Sequence, residues 1–160
     1  MPEKMQEMNT IRVYADTSVY GGVFDDEFAE ASRAFFDAVR AQRFRLVVSA
    51  VVWDELERAP QPIRDLFGEF RSLAEIAEPG LQALALQQAY LDAGVVGPLW
   101  EADALHVALA TVSGCRLIVS WNFKHIVNYR KIPMYNGVNQ ACGYAPLFIH
   151  TPQEVIDDNE

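Results

Sequence analysis

Asp16, Glu55 and Asp103 each stand where a short apolar run ends or a helix begins. Asp16 closes Ile11-Arg12-Val13-Tyr14-Ala15 and precedes Thr17-Ser18. Glu55 lies in Val51-Val52-Trp53-Asp54-Glu55-Leu56, just after the strand-like Leu46-Val47-Val48-Ser49. Asp103 sits in Glu101-Ala102-Asp103-Ala104-Leu105-His106, the first turn of a strongly helical stretch. Carboxylates at strand ends and helix starts of an α/β chain converge at one edge of a sheet, where they repel one another unless a divalent cation lies between them. Phosphodiester hydrolysis needs a nucleophile at neutral pH and neutralised phosphoryl oxygens, and one or two Mg2+ or Mn2+ ions on hard oxygen ligands supply both. Asp16, Glu55 and Asp103 are therefore the candidate metal ligands and catalytic acids.

Each has a plainer reading. Asp16 could cap the next loop through an Asx-turn shared with Thr17 and Ser18. Glu55 could belong to a solvated face with Asp54 and Glu57. Asp103 could serve the helix dipole, as could Glu101, although its apolar neighbours make a carboxylate costly outside a cleft. His106, three residues after Asp103, is read as a hydrogen-bonded buried histidine, with a ligand role as the alternative. Lys124, His125, Arg130 and Lys131 form the densest positive cluster of the chain and are the candidate substrate-binding residues, with ordinary surface charge as the alternative.

The elements that would carry these residues alternate. Strands are expected at Ile11 to Ala15, Arg45 to Ser49, Leu73 to Ala77, Arg116 to Ser120 and Leu147 to Ile149. Helices are expected from Asp26 to Gln42, after Ser49 up to Pro60 with Trp53, Glu55 and Leu56 on it, from Ile63 to Leu73, Leu81 to Ala93, Glu101 to Ser113, and Phe123 to Asn128. Pro60 and Pro62 separate two helices, Gly94 and Gly114 end two others, and Gly21-Gly22 is read as a turn. Thr151-Pro152-Gln153-Glu154 has the form of a capping box opening a last turn. Tyr129, Tyr135 and Tyr144 are taken as packing residues of an irregular segment before the last strand, with stacking on nucleic-acid bases as the alternative. The pattern implies an α/β three-layer sandwich with a small, mostly parallel central sheet, whose sites form beyond the carboxyl ends of the strands.

At 160 residues and 51% hydrophobic, the chain can bury the core of one domain, and no linker-like stretch divides it. The expected organisation is a flexible N-terminal tail over 1–8, one domain over 9–156 and a C-terminal tail over 157–160. The polar start Met1-Pro2-Glu3-Lys4-Met5-Gln6-Glu7 has no signal-peptide core, and no apolar run approaches the roughly 20 residues of a membrane span, so a cytoplasmic chain is expected. Cys115 and Cys142 are expected to be reduced, in or near the core. A net charge of −9 argues against a protein that coats nucleic acid non-specifically. It leaves open a nuclease that meets phosphate through metal ions, or a protein with a basic partner.

With these residues placed, the chain resembles the PIN-domain family, close to the VapC-like toxins of prokaryotic type II toxin–antitoxin pairs, over about Asn9 to Ile156. The resemblance rests on Asp16-Thr17-Ser18, the Glu55 helix, Ala102-Asp103-Ala104-Leu105-His106-Val107-Ala108 and Val119-Ser120-Trp121-Asn122-Phe123-Lys124-His125. It implies a Mg2+- or Mn2+-dependent ribonuclease leaving a 5′-phosphate and a 3′-hydroxyl, with an RNA substrate, an antitoxin protein as partner and a homodimeric state. By position it implies Asp16, Glu55 and Asp103 as ligands and Ser18 and Ser120 as polar support. The pattern departs at Asn122, where a fourth acid is usual, and at Lys124, where a further acid is common. Asn122 brings a carbonyl oxygen but no charge, and would orient a water at the site. The rival readings are a PIN-fold module that binds RNA or a protein without cutting, and a phosphohydrolase of small substrates. Ser18, where aspartyl-phosphate enzymes carry a second aspartate, counts against the latter.

Overall fold

The computed structural model describes residues 10–156; the expected tails lie outside the described residues. In chain order the elements are β1 (Ile11–Ala15), α1 (Thr17–Gly22), α2 (Ala29–Arg40), β2 (Phe44–Ser49), α3 (Ala50–Leu56), α4 (Gln61–Arg71) and β3 (Glu75–Ala77). Then come α5 (Leu81–Asp92), a 3-10 turn (Pro98–Trp100), α6 (Glu101–Val112), β4 (Leu117–Val119), α7 (Lys131–Ala141), β5 (Phe148–His150) and α8 (Pro152–Ile156). The sheet runs β3-β2-β1-β4-β5, and every pairing in it is parallel.

The chain winds outward from β1 to β2 to β3, then returns past β1 to lay down β4 and β5. Parallel crossovers keep one hand, so the return must run over the opposite face. Two helix groups result. α1 packs on α2, α3 and α4, and α2 on α8, while α5 packs on α6 and α7. β1 lies at the centre with Val13, Tyr14 and Ala15 fully buried, as a strand covered on both faces must be. The reversal of winding falls between β1 and β4, so the crevice beyond their carboxyl ends is where an α/β sheet of this kind binds its ligand.

Several elements depart from the sequence expectations. Gly21-Gly22 is the end of α1 rather than a turn. Gly22 is required there because a Cβ would stand 2.5 Å from Ser32 Oγ and 2.8 Å from Trp121 Nε1. α2 starts at Ala29 because Asp25 forms an Asx-turn, its Oδ1 accepting from the Glu27 amide at 2.9 Å. Residues 123–127 are a run of turns, not a helix: the Asn122 carbonyl accepts from both Ile126 and Val127 amides. The segment expected to be irregular contains α7. Pro133 sits in its first turn, where a missing amide costs nothing. Tyr135 on α7 is fully buried and Tyr144 packs on the core, but Tyr129 is exposed. The capping box is present, with Thr151 and Glu154 exchanging backbone-to-side-chain bonds at 3.0 and 3.2 Å. Cys115 is buried, which pushes its thiol up to about 12, whereas Cys142 is exposed rather than near the core; both are free. No helix among the described residues is long and apolar enough to cross a membrane.

Candidate active site at the β1/β4 switch point

Asp16 is the first residue past β1, and its amide donates to the Val119 carbonyl at the end of β4. Its side chain caps α1. Oδ1 accepts from the Ser18 amide at 3.1 Å and the Ser18 hydroxyl at 2.5 Å, and Oδ2 from the Ser120 hydroxyl at 2.6 Å. The capping reading was therefore correct in geometry but incomplete. A cap at the surface would be solvated, whereas Asp16 is only 4% exposed. Burial raises its carboxyl above the usual range, and the nearby His106 and the serine bonds only partly offset that. A carboxylate held dry, with hydroxyl donors but no lysine or arginine paired to it among the described residues, suits a cation.

Glu55 reaches the same edge from α3. Oε2 accepts a hydrogen bond from the Thr17 hydroxyl, and Oε1 lies 2.9 Å from His106 Nε2 on α6. Burial alone would raise the Glu55 carboxyl, but the His106 bond and charge, with the Thr17 bond, bring it below the ordinary value. His106 is buried. Burial would lower its imidazole, yet the Glu55 bond and the charges of Asp16, Glu55 and Asp103 hold it above its ordinary value. Its Nδ1 lies 2.7 Å from the Tyr14 hydroxyl, which lies 2.7 Å from Ser49 Oγ, and Ser49 in turn accepts from the Val52 amide at 3.2 Å. A continuous relay thus runs from the start of α3 through β1 and α6 back to Glu55.

Asp103 lies in the first turn of α6, partly buried, and its side chain has no hydrogen bond or ion pair among the described residues. Its charge acts on His106, His125 and Tyr135, which places it on the same side of the crevice. Among the described residues no three His, Cys, Asp or Glu side chains close into a ready metal cluster. The fold brings Asp16 and Glu55 to one edge through Thr17 and His106, and Asp103 to its rim, without gathering them into one coordination shell. The donors available are hard oxygens, which fit Mg2+ or Mn2+ better than a soft metal.

Ser18 and Ser120 both touch Asp16, and Ser120 Oγ also accepts from the Asn122 amide at 2.9 Å. Asn122 uses its own side-chain oxygen to cap the following turn, accepting from the His125 amide at 2.9 Å. The residues of the basic cluster each have a local contact. Lys131 Nζ donates to the Val95 carbonyl at 2.6 Å, and Arg130 lies against the Tyr129 ring. Lys124 stands over the Trp100 ring, and the buried His125 stacks on it. Burial lowers the His125 imidazole; Asp103 opposes this while Lys124 and Lys131 add to it. A cleft of about 360 Å3 lies at the other edge of the sheet, lined by Ile11, Phe44 and Phe148 at strand starts, away from all these carboxylates.

Tyr14 and Ser49 are the site residues that sequence reasoning passed over. In the sequence Thr17 reads only as a partner of Asp16 in a capping turn, whereas its hydroxyl serves Glu55. Tyr14 shares a strand face with Asp16, two residues on, but nothing in the sequence names its partner.

A buried aspartate at the switch point of a fully parallel, doubly wound sheet, with a second carboxylate clamped near it, defines an α/β domain with an acidic site beyond the carboxyl ends of its central strands. The chain belongs to the PIN domain family, whose model matches residues 12–124. The fold is similar to a chain in the crystal structure of VapBC2 from Rickettsia felis bound to a DNA fragment from their promoter. The TM-score is 0.59 at 14% identity, over 88% of this chain and 98% of that one. At that identity the likeness speaks to fold. No curated protein sequence matches the chain.

Proposed function

We propose that the chain is a Mg2+- or Mn2+-dependent endoribonuclease acting as the toxin of a toxin–antitoxin pair. The observation that carries this reading is Asp16: a buried, hydroxyl-bonded carboxylate at the switch point, beside a Glu55 fixed on both oxygens. PIN-family membership supports nuclease chemistry, and the fold shared with a VapBC2 chain supports the toxin–antitoxin setting. Asp16, Glu55 and Asp103 would hold the cation, which when bound supplies charge neutralisation at the phosphate and an activated water. Ser18 and Ser120 hold the Asp16 carboxylate in one orientation. His106 and Thr17 do the same for Glu55, and the Asn122 side chain fixes the turn that carries Lys124 and His125 along the rim. Lys124, His125, Arg130 and Lys131 would meet RNA phosphates. An antitoxin and a second copy of the chain are the protein partners the reading implies, in the cytoplasm.

The second reading, a module that binds RNA or protein without cutting, draws on Asn122. Its oxygen is committed to the His125 amide, and the site has one acid fewer than the family pattern. One experiment separates the two. Purified wild type in Mn2+ is expected to cut a panel of structured and single-stranded RNAs, while an Asp16→Asn/Asp103→Asn chain does not. If neither cuts and calorimetry finds no Mn2+ binding at millimolar concentration, the binding module is the better account.

A further inference from the structure

The corner that carries Ser120 and Asn122 is flanked by two aromatic assemblies that reach from the core to the surface. On one side Phe28 stacks on Trp121, with ring centroids 4.3 Å apart at 24°, and Phe123 leans on both at 6.3 and 6.1 Å. Phe123 is still 50% exposed. On the other side Trp100 stacks on His125 at 4.3 Å and 27° and keeps 42% of its surface open. Lys124 Nζ lies 5.3 Å from the Trp100 ring centroid. His125, stacked on that ring, is 92% buried, and neither of its ring nitrogens has a hydrogen-bond partner among the described residues. Two half-exposed aromatic rings, a lysine over one of them and a buried imidazole with unused donor and acceptor capacity lie together on one rim of the crevice.

That rim adjoins the carboxylates. Trp121 donates its amide to Ser18 Oγ at 2.9 Å, and the same hydroxyl donates to Asp16. Phe123 is three residues from Ser120, a span of no more than roughly 10 Å.

We infer that this rim is a nucleobase-stacking site for single-stranded RNA, in which Phe123 and Trp100 take unpaired bases on either side of the Asn122 turn. The inference rests on the ribonuclease reading and narrows its substrate class. Paired bases are already stacked on their neighbours and cannot reach such rings, whereas splayed bases of a loop or single strand stack on aromatic side chains whatever their sequence. Lys124 beside Trp100 supplies attraction to phosphate in a chain that is otherwise strongly acidic. An apolar protein segment would have no use for that charge.

The test is fluorescence anisotropy with the full-length Asp16→Asn chain, so that no probe is cut. Three labelled probes are compared: a short mixed-sequence single-stranded RNA, the same strand in a duplex, and an abasic strand with the same sugar–phosphate backbone. The single strand is expected to bind at least tenfold more tightly than the other two. Phe123→Ala and Trp100→Ala should each weaken it about tenfold while leaving the abasic strand unaffected, and Trp100→Phe should retain most of the affinity. Both positions are substantially exposed, and circular dichroism verifies that each variant is folded; if Trp100→Ala unfolds, Trp100→Leu replaces it. Equal binding of the single and abasic strands, or Ala variants that bind like the parent, would overturn the stacking site and leave the ribonuclease reading standing. No affinity for any of the probes, together with no RNA cleavage by the wild type, would remove both.

Discussion

His106, on α6, holds Glu55, on α3, by a 2.9 Å contact between its Nε2 and the carboxylate Oε1, across 51 positions of sequence. Because Thr17 occupies the other oxygen, Glu55 is a fixed carboxylate although about a third of its side chain is open to solvent. Truncating His106 would leave the buried Tyr14 hydroxyl and the Glu55 carboxylate each one partner short. His106→Ala is expected to cost about 3 kcal/mol in urea unfolding, and to lower RNA cleavage through kcat rather than KM. Thr17→Val removes the outer hold alone; it should cost less than about 1 kcal/mol yet also reduce kcat. An unchanged unfolding midpoint in His106→Ala would contradict the relay.

Asp16 predicts a conflict between stability and function. Its carboxylate is buried, with its charged form disfavoured by desolvation. Asp16→Asn should therefore raise the melting temperature of the metal-free chain, by the equivalent of about 1 kcal/mol, while abolishing cleavage. Mn2+ should raise the wild-type melting temperature in a concentration-dependent way and leave the variant unmoved, since a ligand of the folded state alone stabilises it by mass action. Equal Mn2+ shifts in both chains would take Asp16 out of the ligand set.

Much of this site was legible because local rules and the fold agreed. An aspartate closing an apolar strand has no surface role to explain it, and Thr151 with Glu154 spells a cap that forms as written. Legibility failed where a side chain's reason lies elsewhere in the chain. Pro133 and Gly137 signal a break, yet α7 forms because Tyr135 and Asn139, one turn apart, are both buried. Asn139 there accepts from the Tyr90 hydroxyl on α5. The partners of His106 and the stacking of Trp100 on His125 come from the crossover that brings α5 and α6 back past β1, which no local pattern encodes.

Gly22 offers a sharper case of the same kind. Its Cα faces the Trp121–Ser32 hydrogen bond, 2.8 Å from Trp121 Nε1 to Ser32 Oγ, with no room for a methyl group. Gly22→Ala is expected to destabilise by about 1–3 kcal/mol and to shift the tryptophan emission as the indole is displaced. Gly21→Ala, with nothing within 4 Å of its added Cβ, should be neutral or slightly stabilising in the same helix. Equal effects from the two substitutions would mean that backbone freedom, not the close approach, selects glycine at 22.

Glu75 gives a pH dependence whose sign can be worked out. Arg12 on β1 donates Nε and Nη2 to the two Glu75 oxygens at 2.9 Å, Arg45 on β2 adds a contact at 3.1 Å, and Arg12 Nη1 reaches the Ser113 carbonyl at 2.7 Å. Three adjacent strands are thereby tied at their solvent-facing ends. The Arg12 bond outweighs burial and, with the charges of Arg12 and Arg45, holds the Glu75 carboxyl below its ordinary 4.5. A carboxyl with a lowered folded value contributes stability that is fully present above the unfolded value and is lost as pH falls through the folded one. Glu75 is 38% exposed, so solvent screening limits the contribution to less than about 1 kcal/mol. Urea unfolding of Glu75→Gln should therefore fall short of wild type at pH 7, with the gap closing progressively as pH drops below 4.5. A gap that widened toward acid would mean that Glu75 is destabilising when ionised, and that the three-strand tie is held by Arg12 and the Ser113 carbonyl instead.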